Sequence, residues 1–357
     1  MGACLILLAT APLVRNERLN EPLTHTESYA MFVHRAVDVP SPELLHVLQS
    51  LEGEPIITAK SLAPHIAANV DFLDEATASM APTPSPSTNA RLAVPLLLQL
   101  VRDWSEEGEE VRSQSYARLI APLRPFRAPR VLLPGSGLGR LAFDIVVAHA
   151  GAHVVAVEAD AASHVIAAHL MTPAECTHAG RTIYPAIHLG PNWASASHRL
   201  RGVRVPDVSR EMLLHVQETG NISLVVGSFP DALPHLASDE MGRAFDAVVT
   251  SFFIDVPVDT LGMLRAIRAA LTPQGGVWVN FGPLAFPQEY AEDGVRAFPL
   301  PYAQLRHLIL YAGFRFLAEE SHPCEYNRVP EWLERTTRTC YFFVAEPLSE
   351  PKYSKTF

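Results

Sequence analysis

The stretch Arg130–Gly139 has the sequence RVLLPGSGLG, in which a short apolar run leads into a cluster of glycines. A helical pattern follows it as far as Ala150. Nucleosides and phosphates are bound in this order of strand, glycine loop and helix, because small residues let the backbone approach a ligand that a Cβ atom would exclude. The stretch therefore predicts either a nucleoside-binding loop or a tight strand-to-helix turn that holds no ligand.

Further apolar runs alternate with helical patterns along the chain. Strands are predicted at His153–Glu158, Ile222–Val226, Phe245–Thr250 and Gly276–Phe281, and helices at Ala161–Met171 and Val258–Leu271. Continuous apolar strands that alternate with helices predict a parallel sheet covered on both faces. The end differs, since the strand patterns Phe314–Glu319 and Thr339–Ala345 have no comparable helix between them. We expect an antiparallel hairpin at the sheet edge, which is not typical of dinucleotide dehydrogenases with their two similar halves.

The N-terminal third carries a different pattern. From about Ser28 to Ile120, apolar residues recur at three- and four-residue spacing, which predicts helices. The proline-rich segment Ala81–Thr88 interrupts them and is predicted to be an exposed loop. The expected organisation is a helical cover over residues 1–125 that contributes to the ligand site, then an α/β domain over residues 126–350. Insertions at about 172–221 and 282–300 are too long for simple turns, so we expect lids or walls there.

The composition excludes several classes of protein. Lysine and arginine total 28 against 38 aspartate and glutamate residues, a formal charge of −10, which does not suit binding to nucleic acid phosphates. No run reaches the ~18 to 20 apolar residues of a membrane helix. The four cysteines lie far apart and include no CxxC pair, so we expect a soluble protein of a reducing compartment, the cytoplasm. No cluster of histidines and cysteines has the spacing of a metal site.

The first residues have some features of a targeting segment. The apolar run Cys4–Ala11 resembles the core of a short signal peptide, but no basic residues precede it. Ile6 occupies the position where a myristoylation signal has serine or threonine. We favour an apolar terminus packed against the body of the protein.

Glu158 supports the interpretation of the glycine cluster as a ligand loop. It ends the second predicted strand, about twenty residues further on, where a carboxylate can accept hydrogen bonds from both hydroxyls of a ribose. Such a site suits NAD and S-adenosylmethionine equally. The position at which the dinucleotide fingerprint requires its third glycine is Arg140 or Leu141, which favours S-adenosylmethionine.

Longer motifs carry a resemblance to a known family. They are QLVRDWSEEG at 99–108, LPGSGLGRLA at 133–142, FFID at 252–255, NFGPL at 280–284 and, more weakly, VPDV at 205–208. In these motifs and their order, the chain resembles the carnosine N-methyltransferase family over about residues 69–346. The resemblance implies a Rossmann-like class I methyltransferase fold. That fold is an α/β structure with a mostly parallel seven-stranded sheet and an antiparallel last strand, here joined to an N-terminal helical region.

The resemblance also implies a set of cofactor-binding residues. S-adenosylmethionine would be held by Gln99, Arg102, Gly135, Gly137, Glu158, Ser228, Phe229 and Ser251. Arg102 would meet the methionine carboxylate, for which a guanidinium is the natural bidentate partner, and Phe229 would stack beside the adenine. Ser228 and Ser251 stand where the family has an acidic residue and a cysteine, so both positions depart from its pattern.

Asp255 is the residue expected to act on the methyl acceptor. It follows the predicted strand Phe245–Thr250, at the carboxyl edge where open sheets bind ligands, and a carboxylate there can orient the acceptor N–H or take its proton. An aspartate near this position can equally cap the helix that follows. The resemblance adds Tyr326 to the acceptor pocket.

The rest of the acceptor pocket departs from the family. Pro287 aligns with the histidine that binds the imidazole ring of carnosine, and Thr336 and Arg338 align with a pair of tyrosines. The sequence therefore predicts an N-methyltransferase for a small peptide-derived or amine/amide metabolite other than carnosine. We expect no nucleic acid or membrane partner, and a homodimer stays open. Two alternatives are methyl transfer to oxygen or sulfur of a secondary metabolite, for example a modified cyclic dipeptide, and a non-catalytic protein that binds S-adenosylmethionine.

Overall fold

A seven-stranded sheet lies at the centre of the molecule. The computed structural model describes residues 27–35, 37, 40–50, 55–80, 85–149, 151–172, 180–189, 192–219, 222–236, 244–286, 297–329 and 331–349. The strands are β1 Arg130–Pro134, β2 His153–Glu158, β3 Arg181–Ile183, β4 Val203–Val205, β5 Ile222–Val226, β6 Ala247–Ser251, β7 Val277–Gly282, β8 Phe314–Glu325 and β9 Thr337–Pro347. The order in the main sheet is β5-β2-β1-β6-β7-β9-β8, and β3 and β4 form a separate two-stranded sheet.

The strand directions confirm the predicted fold class. In the main sheet, β1 pairs in parallel with β2 and β6, β2 with β5, and β6 with β7. Only β9 runs against its neighbours, since it pairs antiparallel with both β7 and β8. The predicted hairpin therefore forms. β9 lies between β7 and β8, and β8 is the edge strand of the sheet. This is the Rossmann-like arrangement of class I methyltransferases.

Helices cover the sheet and make up the N-terminal region. They are α1 Tyr29–Arg35, α2 Pro42–Ser50, α3 Ala59–Ala76, α4 Ala90–Trp104, α5 Glu109–Ile120, α6 Arg140–Ala148, α7 Ala161–Leu170, α8 Ala196–Arg199, α9 Arg210–Thr219, α10 Phe229–Leu236, α11 Thr260–Ala270 and α12 Tyr302–Tyr311. Within the described part of the chain, no helix combines the length and the apolarity that crossing a bilayer requires.

The sheet separates two apolar cores. Val131 and Leu133 of β1 belong to the core that includes the N-terminal helices, whereas Leu132 packs with Trp278 and Phe343 in the other core. Successive side chains of a strand point to opposite faces. Because both faces of β1 are buried, it is a continuous apolar run, the pattern by which the parallel sheet was predicted.

Helix α4 connects the N-terminal region to the sheet. The indole N–H of Trp104, at the end of α4, donates a hydrogen bond to the carbonyl oxygen of Leu138 in the glycine loop at 2.8 Å. The Trp104 ring also lies 5.7 Å from the ring of Phe143 on α6. These contacts place the last turn of α4, which carries the QLVRDW motif, beside the loop after β1. The division into a helical cover and an α/β domain remains a prediction.

The long insertion after α7 has its own secondary structure. It contains β3, β4, α8 and α9, and a buried asparagine of α3 holds it against the N-terminal helices. The side-chain oxygen of Asn69 accepts a hydrogen bond from the backbone N–H of Tyr184 at 2.7 Å, and its amide group donates to the Tyr184 carbonyl at 2.9 Å and to the Tyr29 hydroxyl at 2.8 Å.

The predicted exposed loop at Ala81–Thr88 is wrong in its second half. Pro86–Thr88 forms a 3₁₀ turn in which Pro86 and Ser87 are buried. The Ser87 hydroxyl donates a hydrogen bond to a side-chain oxygen of Asp74 on α3 at 2.5 Å. This turn packs against the neighbouring helix instead of facing solvent, and residues 81–84 of the predicted loop lie outside the described residues.

The prediction of separate, reduced cysteines is wrong for one pair. Cys324 on β8 and Cys340 on β9 form a buried disulfide with their Cα atoms 5.9 Å apart. The antiparallel pairing of the two strands brings together residues that are 16 positions apart in the sequence. Two further predictions, those on the apolar run Cys4–Ala11 and on Pro287, concern residues outside the described part of the chain.

A buried histidine makes the folded state sensitive to acid. His188 is 1% exposed, and its ring packs near Tyr29 and Phe32 of α1. Neither ring nitrogen has a hydrogen-bond partner among the described residues. Burial, assisted by the charge of Arg199, lowers the pKa of His188 to about 3. In the unfolded chain a histidine titrates near 6.5. Below that pH the unfolded state binds a proton that the folded state excludes, so stability is present above pH 6.5 and is lost as the pH falls.

We expect His188→Gln to remove this loss. Between pH 7.5 and 5.5 the free energy of unfolding of the unmodified protein should fall by roughly 1.4 kcal/mol more than that of the variant, as measured by urea unfolding at each pH. His46→Gln, at an exposed position of α2, is the control for the loss of a histidine. Parallel pH profiles for the unmodified protein and His188→Gln would contradict the prediction.

Candidate active site

A cavity opens at the carboxyl ends of β1, β2, β6 and β7. Its walls come from the loops after these strands, from α4 and α5, and from the β8–β9 hairpin. Eight of the ten site residues predicted from the sequence line it: Gln99, Arg102, Gly135, Gly137, Glu158, Ser251, Asp255 and Tyr326. The insertion at 172–221 contributes none of the lining residues among its described positions.

Ser228 and Phe229 do not line this cavity. Both follow β5, which lies beside β2, and the backbone N–H of the preceding Gly227 donates to the carbonyl oxygen of Glu158 at 2.8 Å. The Ser228 hydroxyl donates to a carboxylate oxygen of Asp231 at 2.7 Å. Phe229 is buried, with its ring 6.5 Å from that of Phe253. The contact of these two residues with an adenine ring remains a prediction.

The glycine loop is shaped by the absence of side chains at two positions. Gly135 has a φ of +64°, and a Cβ there would lie 2.4 Å from the ring of Phe253. Gly137 has a φ of +54°, and the nearest atom to a Cβ there would be the side-chain oxygen of Gln99 at 3.8 Å. Both angles belong to the left-handed region that favours glycine. Gly135 thus gives room to an aromatic side chain of the protein, whereas Gly137 leaves a cradle that faces Gln99 across the cavity.

Glu158 is held at the end of β2 with its carboxylate beside this cradle. One carboxylate oxygen accepts the backbone N–H of Gly137 at 2.7 Å and the other accepts that of Asp160 at 2.8 Å. Burial raises the pKa of Glu158, and the backbone hydrogen bonds oppose the rise. Each carboxylate oxygen has further lone pairs, so the group can still accept hydrogen bonds from a ligand in the cavity.

Arg102 is fixed by its own neighbour in the sequence. Its Nε and Nη2 atoms donate to the two carboxylate oxygens of Asp103 at 2.6 and 2.7 Å, and the Tyr116 hydroxyl donates to the same carboxylate at 3.1 Å. The guanidinium carbon also lies 4.4 Å from the centre of the Tyr326 ring. Burial alone would lower the pKa of Arg102, but the charge of Asp103 and the hydrogen bonds to its carboxylate outweigh burial, and the pKa is raised. Asp103 uses two of the five N–H donors of the guanidinium.

Asp255 lies on the other side of the cavity, beyond the end of β6. Its Oδ2 atom accepts the backbone N–H of Ala285, in the loop after β7, at 2.6 Å. Burial raises the pKa of Asp255, and the backbone N–H groups of Ala285, Asp255 and Phe286 together with the charge of Arg338 oppose the rise. The alternative role as a helix cap is wrong, because Asp259 caps α11 by accepting the N–H of Gly262 at 2.8 Å.

The backbone before Asp255 is strained. Phe252 has a φ of +51°, a conformation that costs energy for a bulky residue. Its backbone N–H donates to the Phe281 carbonyl at 2.9 Å, and a Cβ on Gly282 would lie 3.0 Å from the Phe252 Cα. The FFID and NFGPL motifs are therefore one structural unit, in which Gly282 permits the close approach that turns the chain into the cavity.

A buried ion-pair network behind Arg102 was missed by the sequence analysis. Asp207, from the long insertion, accepts hydrogen bonds from Arg112 at 2.6 Å and from Arg140. Arg112 in turn donates to the carbonyl oxygens of Arg102 at 2.7 Å and Ser105 at 2.8 Å. The VPDV motif carried a signal of this site, but nothing in the spacing indicated that its aspartate lies against α4 and α5.

The comparison with protein families decides the family of the chain. The family model for carnosine N-methyltransferase matches residues 81–348. The chain belongs to the carnosine N-methyltransferase family. Family membership implies S-adenosylmethionine as the methyl donor.

Individual relatives agree with this assignment. The carnosine N-methyltransferase of Dictyostelium discoideum is 33% identical over 256 residues, which are 69% of this chain and 52% of the relative. That of Schizosaccharomyces pombe is 32% identical over 200 residues, which are 53% of this chain and 51% of the relative. The chain thus spans about half the length of the curated relatives that it matches.

Solved structures show a more distant similarity. TehB from Haemophilus influenzae is 13% identical with a TM-score of 0.39, over 67% of this chain and 66% of that chain. A TehB-like SAM-dependent methyltransferase from Corynebacterium glutamicum is 13% identical with a TM-score of 0.35, over 67% of this chain and 93% of that chain. The strand order and the strand directions establish the fold of this chain.

Proposed function

We propose that the protein is an S-adenosylmethionine-dependent N-methyltransferase of a small peptide-derived or amine/amide metabolite, and that carnosine is not its preferred acceptor. The observation that carries the proposal is a single cavity with two chemically distinct sides. The cradle at Gly137 and the carboxylate of Glu158 lie over β1 and β2, and the carboxylate of Asp255 lies over β6 and β7. A donor and an acceptor can thus meet in one enclosed space.

The residues on the donor side fit S-adenosylmethionine. A Cβ at Gly137 would project into the cradle, 3.8 Å from the side-chain oxygen of Gln99. Glu158 offers acceptor lone pairs for ribose hydroxyls, and Arg102 offers N–H donors for a carboxylate. When bound, the cofactor supplies an electrophilic methyl group on a sulfonium sulfur. The buried ion pair with Asp103 fixes the direction of the Arg102 guanidinium before a ligand arrives, which reduces the ordering cost of binding.

The acceptor side supplies alignment and a place for a proton. Methyl transfer to nitrogen is an in-line displacement that needs the nitrogen lone pair directed at the methyl carbon, so positioning accounts for much of the rate. We propose that Asp255 orients the acceptor N–H and takes its proton. Asp255 is 5% exposed, and burial raises its pKa, which makes it a stronger base than an exposed aspartate.

The acceptor pocket supports a substrate other than carnosine. The resemblance to the family implies that Thr336 and Arg338 stand where other members have two tyrosines. Arg338 and Tyr326 both line the cavity, whereas Thr336 is not among the lining residues. A pocket with a cation in place of two phenol groups recognises a different set of polar atoms.

A metabolite screen with labelled methyl donor tests this function. Incubation of the purified protein with peptide-derived amines and amides should label at least one of them on nitrogen, and carnosine only weakly. Labelling on oxygen or sulfur would establish the alternative chemistry, and binding of the donor without labelling of any metabolite would favour a non-catalytic protein. Efficient methylation of carnosine would show that the changes at Thr336 and Arg338 do not exclude it.

Calorimetry distinguishes S-adenosylmethionine from NAD, since the glycine loop and Glu158 suit both cofactors. We expect S-adenosylmethionine and its demethylated product, S-adenosylhomocysteine, to bind and NAD not to bind, since Arg140 and Leu141 provide no third glycine. Binding of NAD without a response to either methyl compound would contradict the cofactor assignment.

Arg102→Ala and Glu158→Ala should each weaken cofactor binding by roughly 1.5 to 3 kcal/mol, the scale of hydrogen bonds to charged groups. This corresponds to an increase of about 10- to 140-fold in the Kd of S-adenosylhomocysteine, measured by calorimetry on folded protein. Arg91→Ala, on the same helix α4 but outside the cavity lining, is the matched control. Unchanged affinity in both folded variants would contradict the assigned donor side.

A further inference from the structure

Two distant parts of the chain contact the guanidinium of Arg102. Asp103, its neighbour on α4, accepts hydrogen bonds from the Nε and Nη2 atoms at 2.6 and 2.7 Å. Tyr326, which directly follows β8, has the centre of its ring 4.4 Å from the guanidinium carbon. A guanidinium can donate hydrogen bonds from two edges of its plane. Because Asp103 lies at the edge of Nε and Nη2, we expect a ligand carboxylate at the edge of Nη1 and Nη2.

The contact between Arg102 and Tyr326 is a cation–π interaction. Such a contact requires the cation within about 6 Å of the ring centre, and the separation here is 4.4 Å. Burial raises the pKa of the Tyr326 phenol, and the charge of Arg102 opposes this rise, so the phenol is uncharged at neutral pH. Arg102 therefore lies over the ring of a neutral tyrosine, and such a contact stabilises the cation more when water is excluded.

The chain on both sides of Tyr326 is anchored. Cys324, two residues earlier, is joined to β9 by its disulfide. Arg328, two residues later, forms an ion pair with Glu110 on α5. The Tyr326 ring also packs 4.8 Å from the ring of Phe252, which precedes the acceptor side of the cavity. The position of the ring is thus set by the protein and not by a ligand.

We propose that Tyr326 is a positioning residue for the methyl donor, whose ring holds the Arg102 guanidinium in the orientation that binds the donor carboxylate. This role rests on the proposed function, and it assigns Tyr326 to the donor side and not to the acceptor pocket that the resemblance implies. A long arginine side chain loses rotamer freedom when it binds a ligand, and fixing it beforehand reduces that cost. Asp103 fixes one edge of the guanidinium, and the Tyr326 ring limits its movement toward the hairpin.

The donor carboxylate is the part of the cofactor on which this role depends. 5′-Methylthioadenosine has the adenosine and the sulfur of S-adenosylhomocysteine but lacks the amino acid group. It offers a ribose to Glu158 and no carboxylate to Arg102. The two compounds therefore separate an effect on the orientation of Arg102 from an effect on the whole cavity.

The test measures the Kd of both compounds by calorimetry for the folded protein and its variants. In Tyr326→Leu the Kd of S-adenosylhomocysteine should rise about 3- to 30-fold, the range of a desolvated cation–π contact. The Kd of methylthioadenosine should change by less than about twofold. Tyr326→Phe retains the ring, so its affinity for S-adenosylhomocysteine should be closer to that of the unmodified protein than to that of Tyr326→Leu. Tyr326→Met repeats the comparison with a flexible side chain that adapts to the space.

A double variant links the effect to Arg102. In the Arg102→Ala background, Tyr326→Leu should raise the Kd of S-adenosylhomocysteine by less than about twofold, because the cation that the ring holds is absent. Tyr302→Leu is the matched control. Tyr302 on α12 stacks its ring 3.8 Å from that of Tyr341 and is not among the lining residues, so this variant loses a stacked ring elsewhere and should leave both Kd values unchanged.

Three results would overturn the proposal. The first is equal weakening of both compounds in Tyr326→Leu, since the residue would then act on the cavity as a whole. The second is unchanged affinity for S-adenosylhomocysteine in that variant. The third is an undiminished effect of Tyr326→Leu in the Arg102→Ala background, since the ring would then act without the guanidinium.

Failure of the proposed function gives a different result. Equal weakening of both compounds in Arg102→Ala would remove the assignment of Arg102 to the donor carboxylate, and the role of Tyr326 with it. Selective weakening of S-adenosylhomocysteine in Arg102→Ala but not in Tyr326→Leu would remove only the role of Tyr326. Selective weakening in both variants, without transfer of label from S-adenosylmethionine to any metabolite, would support the role of Tyr326 and remove the catalytic proposal.

Discussion

In Asp255→Asn, turnover is expected to fall by about 10²-fold or more, the contribution of a positioned general base. The asparagine side chain can still accept the backbone N–H of Ala285 that the Oδ2 atom accepts at 2.6 Å. It cannot take a proton from the acceptor nitrogen. The substitution therefore removes the chemistry of the carboxylate and preserves its place in the loop.

The measurements that check this prediction are kcat, the Kd of S-adenosylhomocysteine and the melting temperature. We expect the Kd to stay within about twofold, because Asp255 lies on the acceptor side, and the melting temperature to change by less than about 3 °C. Asp259→Asn is the matched control four residues further on, where asparagine is an equally good helix cap. Full turnover in Asp255→Asn would restrict the carboxylate to holding the Ala285 loop.

The pH dependence gives a second signature of the same residue. A base is active only in its ionised form, so kcat/KM should fall with acid on the low-pH side of the Asp255 pKa, which burial raises above that of an ordinary aspartate. The acid limb of the kcat/KM profile should disappear from the residual activity of Asp255→Asn. An unchanged acid limb would assign the titration to another group.

The sheet could be predicted because its signals are local. β1 and β2 begin and end where the apolar runs do, and the change from helical spacing to continuous apolar runs marks the start of the α/β part. The glycines after β1 mark the ligand loop for the same reason, since a left-handed backbone and a close approach both require them at fixed positions. Glu158 could be predicted as a site residue because it is the last residue of β2.

The contacts between motifs could not be predicted, because they depend on how distant segments pack. Gly135 was assigned to ligand binding, yet its missing Cβ makes room for Phe253, 118 positions further along the sequence. Asp103 was overlooked although it stands next to Arg102, because the sequence around an aspartate in a helix does not show whether its side chain is buried. The disulfide of Cys324 and Cys340 depends on the register of the β8–β9 hairpin, which spacing alone does not determine.

Asp207→Ala is expected to cost about 3 to 5 kcal/mol of unfolding free energy, the scale for removing one partner of a buried ion pair. The side chains of Asp207, Arg112 and Arg140 are 7%, 6% and 10% exposed, so the two guanidinium groups would lose a carboxylate that water replaces only poorly. Urea unfolding of variant and unmodified protein measures the difference. Glu346→Ala, which breaks the surface pair with Arg315, should cost less than about 1 kcal/mol.

The same substitution should also weaken cofactor binding, although Asp207 does not line the cavity. Arg112 binds the carbonyl oxygens of Arg102 and Ser105, and Asp207 holds Arg112 in the position from which it does so. Loosening this arrangement should displace the last turn of α4 and raise the Kd of S-adenosylhomocysteine in the folded variant, with a smaller effect on kcat at saturating donor. A large loss of stability with unchanged affinity would show that the network only stabilises the fold. If Asp207→Ala is as stable as Glu346→Ala, the buried pair contributes no more than a surface one.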